Sequence, residues 1–322
     1  MDPAYLTKLA AYIGAGIAIG FGAIGAAVGE GYTAAEANAA VSRNPKLAGD
    51  IFKTMLVGQA IAESASIFAL VVALILLFSK IPSYSYVTAC AVLGASFSMG
   101  FGAIGSGIGS GLPAAAACQG IARQPGMSSR LTTNMLIGSA VCQTPSIFAL
   151  VIAFILIFFN YHGQPPSPLW AAVLGAGLAT GLSAIGSGLG SGFAAQASCE
   201  GIARQPRAVS AATNSMLLGQ AIAQTPSILG LLVAFILIFK AFPATDQISP
   251  AIALLASGLC MGIGGIGPGI GEGLAAGGGV RWIARNSEHI GDITRTMLVG
   301  MAVAESTAIY AMVIALVLIF VV

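Results

Sequence analysis

Apolar residues along this 322-residue chain fall into eight long stretches, each on the order of 30 to 38 residues, separated by short polar breaks. Each stretch exceeds the ~20 residues that a helix needs to cross the hydrocarbon core of a bilayer. Four of the breaks are tight and alike: Arg43-Asn44-Pro45, Arg123-Gln124-Pro125, Arg204-Gln205-Pro206 and Arg285-Asn286-Ser287. A proline after a polar residue is a helix stop and turn signal. The pattern predicts four helical hairpins, hence eight spans, over residues 1–80, 81–161, 162–242 and 243–322.

The hairpins are copies of one unit. Gly22-Ala23-Ile24-Gly25 returns at Gly102 to Gly105, as Ser183-Ala184-Ile185-Gly186 and as Gly264-Gly265-Ile266-Gly267. Val57-Gly58-Gln59-Ala60-Ile61-Ala62-Glu63-Ser64 returns at Ile137 to Thr144, Leu218 to Thr225 and Val299 to Ser306. The repeat length is about 80 residues. A repeat of two spans enters the membrane in one orientation every time, so the units are parallel, unlike the inverted halves of many secondary transporters.

Composition narrows the class. Charged residues make up 7% of the chain and apolar residues 57%, whereas a soluble domain carries roughly 25% charged residues. A cytosolic enzyme and a disordered chain are excluded, and a net charge of +2 leaves no basic footprint for nucleic acid. Cys90, Cys118, Cys142, Cys199 and Cys260 lie in apolar segments without a CxxC pair and read as packing residues. His162 and His289 are far apart, and they suggest no metal site. Met1-Asp2-Pro3 does not begin a basic-then-apolar leader, so no removable signal peptide is expected.

The few cations mark orientation. Ten of the thirteen Lys and Arg lie in or beside the tight turns; Lys8, Lys80 and Lys240 lie at the opposite ends. By the positive-inside rule the four turns are cytoplasmic, and both termini and the three connections between hairpins are outside.

The first helix of each hairpin carries glycine at alternate positions: Gly105, Gly107, Gly109, Gly111 in the second; Gly186, Gly188, Gly190, Gly192 in the third; Gly267, Gly269, Gly271, Gly273 in the fourth. The first keeps Gly25, Gly29 and Gly31 with Ala27. Such spacing covers more than one face, so these helices can approach neighbours closely on both flanks. The glycine strings have no preceding strand and no following Lys-Ser/Thr, which excludes a phosphate loop. The second helices end in bulky runs, such as Phe68 to Phe78 and Ile309 to Phe320, that suit an outer layer facing lipid.

Candidate chemistry lies in the acids. Of eleven, Glu30, Glu63, Glu272 and Glu305 fall inside spans, where an ionised carboxylate costs roughly 2.5 to 3.5 kcal/mol or more. Glu30 and Glu63 are 33 residues apart, as are Glu272 and Glu305, with the tight turn roughly midway. At ~1.5 Å rise per residue, both members of a pair lie ~20 to 25 Å from the turn and so share a depth. The same spacing in the middle hairpins gives Ser110 with Gln143 and Ser191 with Gln224, which can hydrogen-bond but cannot carry a proton or balance a cation. Two close carboxylates in a low dielectric should titrate as a coupled pair, carrying a single negative charge with one shared proton and neutral with one proton and one monovalent cation.

The chain resembles the c subunit, or proteolipid (K subunit), of rotary F-type and V-type ATPases in each of its four units. The residues that carry the likeness are the first-helix glycines, the Arg-Asn/Gln-Pro turn and Gly58-Gln59-Ala60-Ile61-Ala62-Glu63-Ser64. The fourth hairpin, with Gly267-Pro268-Gly269-Ile270-Gly271-Glu272-Gly273 and Ala304-Glu305-Ser306-Thr307-Ala308-Ile309-Tyr310, is similar to the sodium-binding members. The resemblance implies an all-α membrane protein whose hairpins assemble into a two-layered ring, with glycine-rich helices inside. It implies a rotor that couples ion flow to ATP hydrolysis or synthesis and has no catalytic site or cofactor of its own. Glu63 and Glu305 are implied as ion carriers, with Glu30 and Glu272 as second carboxylates. Ser64 and Ser306 match the hydroxyl ligand, Ile61 and Val303 the residue lending a backbone carbonyl, and Tyr310 the phenol that holds the carboxylate; Phe68 stands where the first hairpin would have that phenol. The cargo expected at Glu30/Glu63 and Glu272/Glu305 is Na⁺, with H⁺ as the alternative, and Ser64 and Ser306 can equally be serines bonded back to their own helix.

Implied partners are further copies in a homo-oligomeric ring, a stator chain supplying an essential Arg, central-stalk subunits at Arg43, Arg123, Arg204 and Arg285, and lipid, in the cell membrane of a prokaryote. An independent ion carrier or pore built from the same repeats is the competing reading. Two features depart from the family. Four hairpins are fused and the middle two lack acids, and Pro145 and Pro226 stand two residues after Gln143 and Gln224, where local bending of the outer wall is expected.

Overall fold

The computed structural model describes residues 2–82 and 84–321. Among the described residues, eight helical rods are long and apolar enough to cross a membrane. The first hairpin pairs α1 (Pro3–Arg43) with α2 (Ala48–Phe78). In the second, α3 (Tyr86–Arg123) is followed by a rod in two pieces, α4 (Ser128–Cys142) and α5 (Thr144–Phe158). The third repeats this with α6 (Leu169–Arg204), α7 (Val209–Ala223) and α8 (Thr225–Phe239). The fourth pairs α9 (Ile248–Arg285) with α10 (Ile290–Phe320).

Each tight turn is built the same way. The first helix ends on its arginine, where a cation complements the carbonyl end of the helix dipole. Asn44, Gln124, Gln205 or Asn286 then leaves helical geometry, and one 3-10 turn leads into the second helix. The expected bending of the middle outer rods takes the form of a break at Gln143 and Gln224. Pro145 and Pro226 have no N–H to bond the carbonyls of Val141 and Ile222 four residues earlier.

The hairpins stand side by side in two layers. In one, α1 packs on α3, α3 on α6 and α6 on α9; in the other, α2, α4–α5 and α7–α8 each lie in the groove between their own first helix and the next. The glycines explain how the first layer closes. A Cβ at Gly105 or Gly109 would lie 2.4 Å or 2.1 Å from the carbonyl oxygens of Ile185 and Gly188 on α6. At Gly107 or Gly111 it would lie 2.5 Å or 2.4 Å from the backbone of Gly25 and Gly29 on α1. Alternate glycines therefore serve alternate neighbours, and α6 repeats the arrangement between α3 and α9.

At the two ends the pattern is left open. Gly16, Gly20 and Gly31 on α1, and Gly267 on α9, meet nothing within 4 Å, and α10 lies against α9 without a further glycine-rich helix to complete its groove. Gly109→Ala should therefore cost about 3 kcal/mol or more through backbone overlap. Gly20→Ala should leave the isolated chain intact or stabilise it by up to about 1 kcal/mol. Thermal unfolding of the detergent-solubilised chain checks both.

Candidate functional site

The middle hairpins define the geometry, because their side chains are hydrogen-bonded. Gln143, at the α4–α5 break, donates from Nε2 to Ser110 Oγ on α3 at 2.6 Å, so positions 33 apart do meet across a hairpin. The same amide donates to the Ile61 carbonyl oxygen of α2 at 3.1 Å, in the preceding hairpin. One repeat on, Gln224 Nε2 donates to the Val141 carbonyl oxygen at 2.9 Å. That carbonyl is the one Pro145 leaves without its usual helical donor, so the proline and the neighbour's glutamine fit one another. The expected Ser191–Gln224 bond is absent among the described residues: the Gln224 amide is turned to hairpin 2, and Ser191 Oγ is buried without a partner.

A second clip lies one turn away. Gln59 Nε2 donates to the Glu30 carbonyl oxygen at 3.1 Å, Ser139 Oγ to that of Ser110 at 3.1 Å, and Gln220 Nε2 to that of Ser191 at 3.1 Å. These bonds hold the two helices of the first three hairpins in common register at the depth of the acids.

The acids occupy the same positions, Glu30 and Glu63 in the first hairpin and Glu272 and Glu305 in the fourth. Their surroundings differ. Glu272 is fully buried, and neither carboxylate oxygen has a hydrogen-bond partner among the described residues. Glu30 and Glu305 are half-buried, and Glu63 is exposed at the open α1–α2 edge. A buried carboxylate with both oxygens unpaired is costly unless something neutralises it, so the seam beside α9 is shaped for a proton or a cation.

Other expected ligands are placed differently. Ser64 Oγ donates to the Ile61 carbonyl, and Ser306 Oγ to that of Val303 at 2.7 Å, so both hydroxyls bond back to their own helices and keep only acceptor capacity for a cation. Tyr310 is 65% exposed and has no hydrogen bond to Glu305 among the described residues. Ile61 faces Gln143 of the next hairpin, and Val303 lies exposed on the open side of α10. The carbonyl in the equivalent place beside Glu305 is that of Ile222, a residue absent from the expected ligand set. Pro226 was its signal in the sequence, since it leaves that carbonyl without its usual helical N–H donor.

A two-layered stack of membrane hairpins with carboxylates at one depth between adjacent units is the architecture of an ion-carrying component of a membrane complex. The sequence model of the ATP synthase C-subunit family matches residues 13–76, 93–156, 174–237 and 255–318, once per hairpin. The K subunit of an A-type ATP synthase from Methanocaldococcus jannaschii is 30% identical over 229 residues, 70% of this chain and 93% of its own length. The c subunit of an ATP synthase from Alkaliphilus oremlandii is 56% identical over 70 residues, 22% of this chain and 78% of its own. The chain belongs to the ATP synthase C-subunit family, the non-catalytic, ion-translocating rotor components of the membrane sector.

The bonded glutamines yield a prediction. Gln143→Leu removes the amide's bonds to Ser110 Oγ and to the Ile61 carbonyl across the seam, and should cost about 1 to 3 kcal/mol. Thermal unfolding in detergent should reveal the loss, while ion-coupled ATPase activity of the assembled complex persists.

Proposed function

We propose that this protein carries Na⁺ on two sites per chain, one at Glu272/Glu305 and one at Glu30/Glu63, in a homo-oligomeric rotor ring that runs chiefly as an ATP-driven pump. The observation that carries the reading is Glu272, a fully buried carboxylate whose oxygens have no hydrogen-bond partner among the described residues, paired by spacing with a second carboxylate, Glu305. A proton needs one carboxylate in an apolar surround, whereas Na⁺ needs several oxygens. Glu305, Glu272, the Ile222 carbonyl and the acceptor lone pairs of Ser306 supply them. The four units at 1–80, 81–161, 162–242 and 243–322 then divide into two loaded hairpins and two that hold amides. Gln143 and Gln224 satisfy their own hydrogen bonds and keep the wall intact without taking part in transport.

Two loaded hairpins in four halve the ions moved per turn relative to a fully loaded ring, which raises the free energy available per ion from each ATP and favours pumping. The stator must bring the arginine that releases the ion, since no arginine of this chain lies at the depth of the acids. The turns at Arg43, Arg123, Arg204 and Arg285 are proposed to meet the central stalk on the cytoplasmic side.

Glu63→Gln and Glu305→Gln should each reduce ion-coupled ATPase activity of the complex by at least tenfold, and a hydrophobic carbodiimide should modify both residues in a manner that Na⁺ prevents. Labelling that Na⁺ leaves unchanged would assign protons instead. In reconstituted vesicles the complex should pump Na⁺ readily and make little ATP at ordinary membrane potentials; sustained net synthesis would count against the pumping bias.

A further inference from the structure

Four closely packed seams are needed if copies of this chain join end to end, and the chain itself contains three of them. In each, the glycine-rich helices meet through the same pairs: Gly25 with Gly107, Gly105 with Gly188, Gly186 with Gly269. A Cβ on the second member of these pairs would lie 2.5, 2.4 and 2.5 Å from a backbone carbon of the facing helix, so glycine is required there. The fourth pair would be Gly267 with position 27 of a second copy, and that position is Ala27. The neighbouring positions keep their glycines: Gly271 on α9, and Gly16, Gly20 and Gly31 on α1, stand ready for the same close approach and are open in the single chain, apart from the Ala304 side chain beside Gly271.

We infer that the seam between copies is held wider than the three inside the chain by the Ala27 side chain, and that the Glu30/Glu63 ion site, which is completed only by a second copy, is therefore looser than the Glu272/Glu305 site. This rests on the rotor-ring reading above. Ala27 lies one turn from Glu30, so its methyl group acts at the depth of the carboxylates. Restoring ordinary carbon–carbon contact requires about 1 Å of extra separation there.

The second copy also supplies part of the site. Gln143 reaches the carbonyl of residue 61 and Gln224 that of residue 141, each in the preceding hairpin. By the same step Glu305 faces Ile222 within its own chain, and Glu63 faces the partner's Val303. The two carbonyls are held differently: Ile222 receives no helical N–H from Pro226 and accepts from the Gln224 backbone N–H, whereas Val303 is held by the Thr307 N–H of its helix and by Ser306 Oγ at 2.7 Å.

Carbodiimide labelling of the intact rotary complex without Na⁺, followed by mass spectrometry of the two outer-helix glutamates separately, tests the inference. Glu63 should react several-fold faster than Glu305, and Ala27→Gly should slow Glu63 while leaving Glu305 unchanged. Equal rates in the unaltered protein, or a difference that Ala27→Gly does not narrow, would overturn it. Should that variant fail to assemble, imaging of the unaltered ring decides: one α9–α1 separation per chain should exceed the other three by about 1 Å, and four equal separations would overturn the inference. If neither glutamate reacts at all, the rotor-ring reading falls, and this inference with it.

Discussion

Backbone-to-backbone contact between glycine-rich helices is the constraint on which the rest of the molecule depends. In lipid no hydrophobic force draws one apolar helix to another, so association must come from close van der Waals packing and from hydrogen bonds. Here the carbonyls of Gly188, Gly29 and Gly190 occupy space that any Cβ on the facing glycine would fill. That proximity sets the spacing of the first layer, creates the grooves in which α2, α4–α5 and α7–α8 lie, and brings each outer rod close enough to its neighbour for a side chain to reach a backbone carbonyl in the next unit.

On this scaffold the four hairpins treat one position in two ways. Where Gln143 or Gln224 stands, its amide spans a seam and bonds a carbonyl, and the joint is complete without cargo. Where Glu305 stands, its partner Glu272 is buried, and neither of its oxygens has a hydrogen-bond partner among the described residues. An amide satisfies itself at a seam; a carboxylate at the same place must be neutralised, because burying its charge alone is far more costly than burying a bonded dipole. The middle hairpins thus differ from the outer two at both positions of the pair, serine and glutamine against two glutamates, within the same two-layered hairpin.

The prolines belong to the same logic. Pro145 removes the usual helical donor for Val141, and Gln224 of the next hairpin donates to that carbonyl beside the Gln143 backbone N–H. The break in α4–α5 is thus a connection between units as much as an interruption within one. Pro226 repeats the break at Ile222, whose carbonyl accepts from the Gln224 backbone N–H, and the following unit has glutamate in place of glutamine.

The sequence alone determined the four hairpins, the shared depth of Glu30 with Glu63 and of Glu272 with Glu305, and the two-faced use of glycine. All three follow from distance along a helix of constant rise and turn, so a linear count is enough to read them. The family likeness was legible for the same reason, carried by motifs that recur in register. Only the tertiary structure decided which neighbour each side chain serves. That choice depends on how one hairpin is rotated and offset against the next, which no spacing within a hairpin encodes. It turned the Gln224 amide from Ser191 to Val141, placed Ile61 with Gln143, and left Tyr310 without a bond to Glu305 among the described residues.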